Sequence, residues 1–120
     1  LRRYDGHETA SALIAKAIEL ALGGKPALKA MEKIGEGYTA EEAAALAIFV
    51  CLRYRDDFDG AVLAATTFSG NTDSIAPIVG HALGACYGTS VIPQKWITTL
   101  ELQDLLSHGA DMLLGRVDIE

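Results

Sequence analysis

The stretch FSGNTDSIA, residues 68–76, places several small polar side chains between two apolar runs. Asn71 and Asp73 are two residues apart and Ser74 follows directly, so their side-chain oxygens can converge in a tight loop. Oxygen ligands of this kind suit a hard cation such as Mg²⁺, which usually keeps several of its waters. A helix that starts at this position would also attract a phosphate group.

The same residues have a simpler interpretation. Thr72, Asp73 or Ser74 can cap the N-terminus of a helix, and spacing alone favours this interpretation over a metal site. A second acidic cluster would be needed to complete a metal site. The densest one is RDDFD, residues 55–59, whose simplest role is the solvated start of another helix.

Helical periodicity runs through the first half of the chain. Apolar residues recur at helical spacing over residues 10–22, and Gly23 then ends the helix. A short helix is expected over residues 26–34. Thr39 and Glu42 have the spacing of a capping box, and the helix behind them is apolar on almost every side. That helix is expected to be the central, most buried one.

Helical patterns continue through the second half. Asp56 or Asp57 is expected to cap a fourth helix. A fifth helix is expected over residues 75–87 with Pro77 in its first turn, where the missing N–H of proline does no harm. Leucines recurring over residues 102–114 predict a last amphipathic helix.

Composition and pattern together predict one all-α domain over residues 1–120, with five or six helices, because no segment alternates with a period of two. The net charge of -6, from 16 acidic and 10 basic residues, argues against a nucleic-acid partner. The longest apolar run, residues 43–52, is too short to cross a membrane. Cys51 and Cys86 lie in apolar runs and are expected to be buried free thiols of a cytoplasmic protein.

The longer stretch GEGYTAEEAAALAIFVCLRYRDDFDGAVLAATTFSGNTDSIAPIVGHALGACYGTSVIPQKWITTLE resembles the C-terminal half of the ADP-ribosylglycohydrolase family. The order of the features carries the resemblance. A Gly-aromatic pair precedes an Ala-rich helix and DDFDGAVLAA. A loop like Gly-Asp-x-Asp-Ser/Thr follows, then a Gly/Ala-rich helix that ends in Tyr-Gly, and Ile-Pro-x-x-Trp. The resemblance covers roughly residues 33–115.

The resemblance implies a compact orthogonal bundle of helices, of which this chain is the C-terminal part, with a two-metal centre of Mg²⁺ or Mn²⁺. Metal-bound water would release ADP-ribose from a modified side chain or small molecule. The implied site residues are the metal ligands Asn71, Asp73 and Ser74 and the substrate-binding residues Tyr38, Ser69 and Gly70. Tyr38 would stack on adenine or ribose, and packing on the core at a helix start is an equally weighted alternative.

Two departures from the family pattern matter. The pattern usually has Asp where this chain has Asn71, so one negative charge is lost and metal affinity is expected to fall. The N-terminal half, which carries the other acidic ligands and the general base, has no counterpart before Tyr38. The 120-residue chain alone is therefore expected to be an inactive monomer. A non-catalytic module that binds ADP-ribose and a purely structural remnant of the family are the alternatives.

Overall fold

The computed structural model describes residues 3–115, and every regular element in that range is helical. The helices are α1 (Glu8–Leu22), α2 (Ala27–Ile34), α3 (Ala40–Arg53), α4 (Phe58–Thr67), α5 (Thr72–Tyr87), α6 (Gln94–Thr99) and α7 (Gln103–Leu113). A 3₁₀ turn, Thr89–Val91, lies between α5 and α6. The all-α prediction is confirmed for the described residues. Their seven α-helices exceed the expected five or six because α6 is too short to show a periodic pattern.

Helix α3 lies at the centre of the fold. Six of its residues are buried, against three or fewer in each of the other described helices. Leu46 and Phe49 are fully buried, and α1, α2, α4 and α5 all contact this helix. Helix α4 also packs along α5. The prediction that the almost wholly apolar helix is the most buried is confirmed, since a helix without a polar face needs neighbours on every side.

Two helix starts are capped as expected. The Thr39 Oγ1 accepts a hydrogen bond from the backbone N–H of Glu42 at 3.3 Å, and the Asp57 carboxylate accepts one from the N–H of Gly60 at 2.9 Å. In a capping box the Glu42 carboxylate would return to the backbone N–H of Thr39. Here Glu42 Oε2 accepts from the N–H of Gly37 instead, at 3.0 Å. The carboxylate therefore fastens the preceding turn to α3.

Arg53, the last residue of α3, ties that helix to the connection between α1 and α2. Its Nη1 donates to the carbonyl oxygen of Ala21 at 2.9 Å and to that of Gly23, and its Nη2 donates to the carbonyl of Lys25. The last carbonyls of a helix have no partner within the helix. The half-buried guanidinium supplies donors for them, and its charge complements the C-terminus of α1.

Helix α5 begins three residues earlier than predicted, at Thr72, and its N-cap residue is Asn71. The prediction that Thr72, Asp73 or Ser74 caps the helix is wrong, because all three lie within its first turn and no side chain caps it. Pro77 is consequently an interior residue of α5 and not part of its first turn. Proline has no N–H, so Pro77 cannot donate to the carbonyl of Asp73 one turn earlier.

The last two helices lie at the edge of the fold. Trp96 of α6 packs against Phe58 of α4, with ring centroids 6.2 Å apart and planes inclined by 56°. Helix α7 has no buried residue, and the exposed fractions of Leu105, Leu106 and Leu113 are 63%, 56% and 90%. These three side chains form what we call the leucine face of α7. Within residues 3–115 no helix buries it.

Over the described range, the helices fall short of the length and apolar content that a bilayer crossing requires. Both cysteines are free, as expected; Cys51 is half-buried and Cys86 is exposed. The prediction that Cys86 is buried is wrong, because it lies beyond Leu83, the last buried residue of α5.

Candidate functional site

Two short turns meet at the N-terminus of α5. The first turn, residues 35–38, lies in the connection between α2 and α3, and the second turn, residues 69–71, lies in the connection between α4 and α5. The backbone N–H of Asn71 donates to the carbonyl of Glu36 at 2.7 Å, and Asn71 Nδ2 donates to the carbonyl of Gly37 at 3.2 Å. We call this pair of turns the two-turn junction. It brings together residues more than 30 positions apart in the sequence.

Glycine is required on both sides of the junction. A Cβ atom added at Gly70 would lie 2.1 Å from the Glu36 carbonyl oxygen, so the backbones touch there directly. Gly37 has a φ of +83°, and a Cβ added to it would lie 2.8 Å from Cδ1 of the buried Ile75. Only glycine tolerates this combination of positive φ and close contact.

Glu42 supports the first turn from α3. Its carboxylate accepts from the N–H of Gly37, and a Cβ added at Gly35 would lie 2.6 Å from Glu42 Cδ. The side chain thus fills the space that Gly35 leaves open and binds the backbone of Gly37. Glu42, Gly35 and Gly37 were not among the predicted site residues. The spacing of Thr39 and Glu42, together with the GEG triplet, is the sequence signal that could have identified them.

Asn71 and Ser74, two of the three predicted metal ligands, contact each other. Asn71 Nδ2 donates to Ser74 Oγ at 2.9 Å in addition to the Gly37 carbonyl. A carbonyl oxygen can only accept, so the nitrogen of the amide must face Gly37. Both donors of the amide are therefore used, and no described residue bonds to Asn71 Oδ1.

The third predicted ligand, Asp73, is exposed in the first turn of α5. No described residue forms a hydrogen bond or ion pair with its carboxylate. A negative charge in the first turn of a helix is stabilised by the helix dipole. The carboxylate remains accessible to a ligand from solvent.

The three predicted substrate-binding residues flank the same junction. Tyr38 ends the first turn and is 71% exposed, which excludes the alternative that it packs on the core. Ser69 is exposed at the start of the second turn. Gly70 is packed against Glu36, and its backbone N–H as a donor to a ligand stays a prediction.

Three side chains at the junction are chemically suited to bind Mg²⁺ or Mn²⁺. The junction offers the Asp73 carboxylate, the Asn71 amide oxygen and the Ser74 hydroxyl, which are hard oxygen ligands. Within residues 3–115 no three His, Cys, Asp or Glu side chains gather into a cluster that could hold a metal ion. A two-metal centre therefore needs carboxylates beyond those that the described residues bring together.

A concave cavity lies at the other end of α5 and not at the junction. Its volume is about 350 Å³, and it is lined by Arg55, Asp56, Phe58, Leu83, Tyr87 and Val91. None of the predicted site residues lines this cavity.

Comparison with known proteins identifies the family. The family model for ADP-ribosylglycohydrolases matches residues 1–119. The chain belongs to this family. The match is longer than the expected 33–115, so the sequence before the first turn also belongs to the family pattern.

One curated relative in this family is the ADP-ribosylarginine hydrolase Tri1 of Serratia proteamaculans (strain 568). It is 38% identical to this chain over 58 residues, which are 48% of this chain and 16% of that protein. The aligned segment is thus a small part of the relative's length. No solved structure matches the chain.

Proposed function

We propose that this chain is the C-terminal part of a hydrolase that releases ADP-ribose from a modified side chain or small molecule. Family membership over residues 1–119 supports the proposal, and the name of the relative Tri1 makes an arginine linkage the first substrate to test. The structural observation on which the proposal rests is the two-turn junction. It fixes the turn that bears the exposed Tyr38 against the helix start that bears the exposed Asp73.

Each exposed group has a role in this proposal. The ring of Tyr38 offers an aromatic face on which adenine or ribose can stack. Asp73, together with Asn71 Oδ1 and Ser74 Oγ, would hold Mg²⁺ or Mn²⁺. When bound, the metal supplies a polarised water for hydrolysis of the glycosidic bond.

Ser69 and Gly70 are proposed to border the bound ligand, since they adjoin Asn71 in the second turn. Asp73 alone among the three ligands carries a charge, and a general base is unknown. We therefore propose that the 120-residue chain does not turn over substrate by itself and that a longer chain supplies the remaining carboxylates. A cytoplasmic, monomeric enzyme without a nucleic-acid or membrane partner stays part of the proposal.

A second candidate function is a non-catalytic module that binds ADP-ribose. The neutral Asn71 favours it, because an amide offers a divalent cation less charge than a carboxylate does. The amide nitrogen, not an oxygen, faces Ser74 and Gly37 in this chain. Binding without hydrolysis would distinguish this function from the hydrolase.

Calorimetric titration of ADP-ribose into the 120-residue chain, with millimolar Mg²⁺, tests the site. Tyr38→Ala and Asp73→Ala are each expected to weaken binding about tenfold or more, which corresponds to roughly 1.4 kcal/mol. Tyr4→Ala is the matched control for the first, because Tyr4 is 72% exposed and lies outside the junction. Asp59→Ala is the control for the second, since Asp59 is exposed in the first turn of α4.

The chemistry is tested on ADP-ribosylarginine with a longer protein that contains this chain. Mg²⁺-dependent release of ADP-ribose supports the hydrolase. Binding of ADP-ribose without release of arginine supports the non-catalytic module and contradicts the hydrolase. If ADP-ribose and Mg²⁺ neither bind nor raise the melting temperature, the chain is a structural remnant, because a ligand of the folded state must stabilise it.

A further inference from the structure

The amide nitrogen of Asn71 lies between two oxygens that belong to different parts of the junction. It donates to the Gly37 carbonyl at 3.2 Å and to Ser74 Oγ at 2.9 Å, while the backbone N–H of the same residue donates to Glu36 at 2.7 Å. One half-buried residue thus supplies three hydrogen bonds, and two of them reach the first turn. Those two bonds join the second turn to a segment that is otherwise attached through α3.

This arrangement needs an amide and cannot be made by an ionised carboxylate. The Gly37 carbonyl has no proton to give, and Asp at neutral pH has none either. A carboxylate at position 71 would therefore place a negative oxygen against the Gly37 carbonyl, whereas the Ser74 hydroxyl could turn and donate to it. A divalent cation between these oxygens would turn the repulsion into attraction, since hard cations bind carboxylate, carbonyl and hydroxyl oxygens.

We infer that Asn71 is a positioning residue whose side-chain amide holds the two-turn junction together without a metal ion. By holding Gly37 it fixes the neighbouring Tyr38 relative to the first turn of α5, which carries Asp73. The amide joins the two turns, as a cation would if residue 71 were Asp. The role in positioning a nucleotide rests on the proposed function, whereas the role in holding the junction does not.

Thermal unfolding of the full chain, followed by circular dichroism in EDTA and in millimolar Mg²⁺, tests the inference. The wild-type midpoint is expected to rise in Mg²⁺ by much less than that of Asn71→Asp, because the amide already joins the two turns in EDTA. Asn71→Ala is expected to lower the midpoint by about 4–8 °C in both solutions, because the Gly37 carbonyl and the Ser74 hydroxyl lose the side-chain amide that donates to them. The midpoint of Asn71→Asp is expected to be at least as low as that of Asn71→Ala in EDTA and to recover most of this loss in Mg²⁺.

Gln94→Glu is the matched control, because it also changes an amide into a carboxylate at a helix start. Gln94 is exposed as the first residue of α6, so its replacement is expected to leave the midpoint within about 2 °C in both solutions. A recovery in Mg²⁺ that Asn71→Asp shows and Asn71→Ala lacks separates the positioning role from simple loss of packing.

Two results would overturn the inference. One is an Asn71→Asp chain as stable as wild type in EDTA, since the donors of the amide would then be dispensable. The other is a wild-type midpoint that rises with Mg²⁺ as much as that of the variant, since the native junction would then rely on a cation. These measurements contain no nucleotide, so their failure leaves the proposed hydrolase untouched, and absence of hydrolysis leaves this inference untouched.

If Asn71→Asp does not fold in EDTA, hydrogen exchange of the wild-type chain provides the test. The backbone N–H of Asn71, bonded to Glu36, is expected to be protected equally in EDTA and in Mg²⁺. Protection that appears only in Mg²⁺ would contradict the inference.

Discussion

Replacing Arg53 with methionine tests how much the link between α3 and the α1–α2 connection contributes to stability. The guanidinium donates to three backbone carbonyls, those of Ala21, Gly23 and Lys25. Methionine keeps a long apolar stem, so the substitution removes the donors and the charge with little loss of packing. The loss of stability in this variant therefore measures the hydrogen bonds and charge of Arg53 and not its packing.

The expected loss of stability depends on how far the three hydrogen bonds are shielded from water. A hydrogen bond to a charged group contributes about 1.5–3 kcal/mol, but Arg53 is only half-buried and water can reach part of the freed surface. We therefore expect a total loss of about 2–3 kcal/mol. With about 2.1 cal/mol/K of unfolding entropy per residue, the 120-residue chain has roughly 0.25 kcal/mol/K, so the midpoint should fall by about 8–12 °C.

Circular dichroism melting of Arg53→Met, Arg53→Lys and Arg55→Met measures this effect. Lysine keeps the charge but lacks the planar guanidinium, so the melting midpoint of Arg53→Lys should lie between those of wild type and Arg53→Met. Arg55 is the control, because its side chain is 73% exposed and its ion pair with Asp56, at 3.0 Å, lies at the surface. Such pairs contribute less than about 1 kcal/mol. Midpoints of the two methionine variants within about 2 °C of each other would refute the reasoning.

Two further predictions follow from the junction and from the cysteines. Gly70→Ala should lower the free energy of unfolding by about 3 kcal/mol or more, because its Cβ would lie 2.1 Å from the Glu36 carbonyl oxygen. Gly84→Ala is the control: Gly84 has open space on α5, so this variant should be more stable than wild type by about 0.5–1 kcal/mol. Equal melting midpoints of the two variants would disprove the contact of Gly70 with Glu36. Burial, and secondarily the neighbouring Cys86, raises the pKa of the Cys51 thiol. A disulfide reagent at about pH 8 should therefore modify the exposed Cys86 before Cys51. Equal rates of modification of the two thiols would contradict this order.

The helices of the first half could be predicted because local residues set their ends. Gly23 and Gly35 follow α1 and α2 directly, and the Thr39 hydroxyl caps α3. The start of α5 was misplaced for a different reason. Asn71, Thr72, Asp73 and Ser74 are all residue types that favour the N-cap position. Asn71 takes this position, but its side chain bonds to Gly37, more than 30 residues away, and does not cap the helix. Spacing within one segment cannot show such a contact.

The same limit applies to the candidate site. The residue types in FSGNTDSIA indicated the second turn of the junction, and Tyr38 of the first turn was proposed through the family pattern. The junction itself was not predictable, because it depends on the direct backbone contact of Gly70 with Glu36 and on the carboxylate of Glu42. Glycines in a loop are compatible with many structures, and only the fold shows which backbone lies against them.

The leucine face of α7 has a consequence for spectroscopy. Accessible leucines in the native state should bind an environment-sensitive dye such as ANS before any unfolding begins. Dye-based melting curves of this chain would then start from a high fluorescence baseline and show a small or inverted transition. The emission of Trp96, which is packed on Phe58, should report loss of structure without that background. Strong dye fluorescence from this protein would therefore be expected of its folded surface and would be no sign of a molten state.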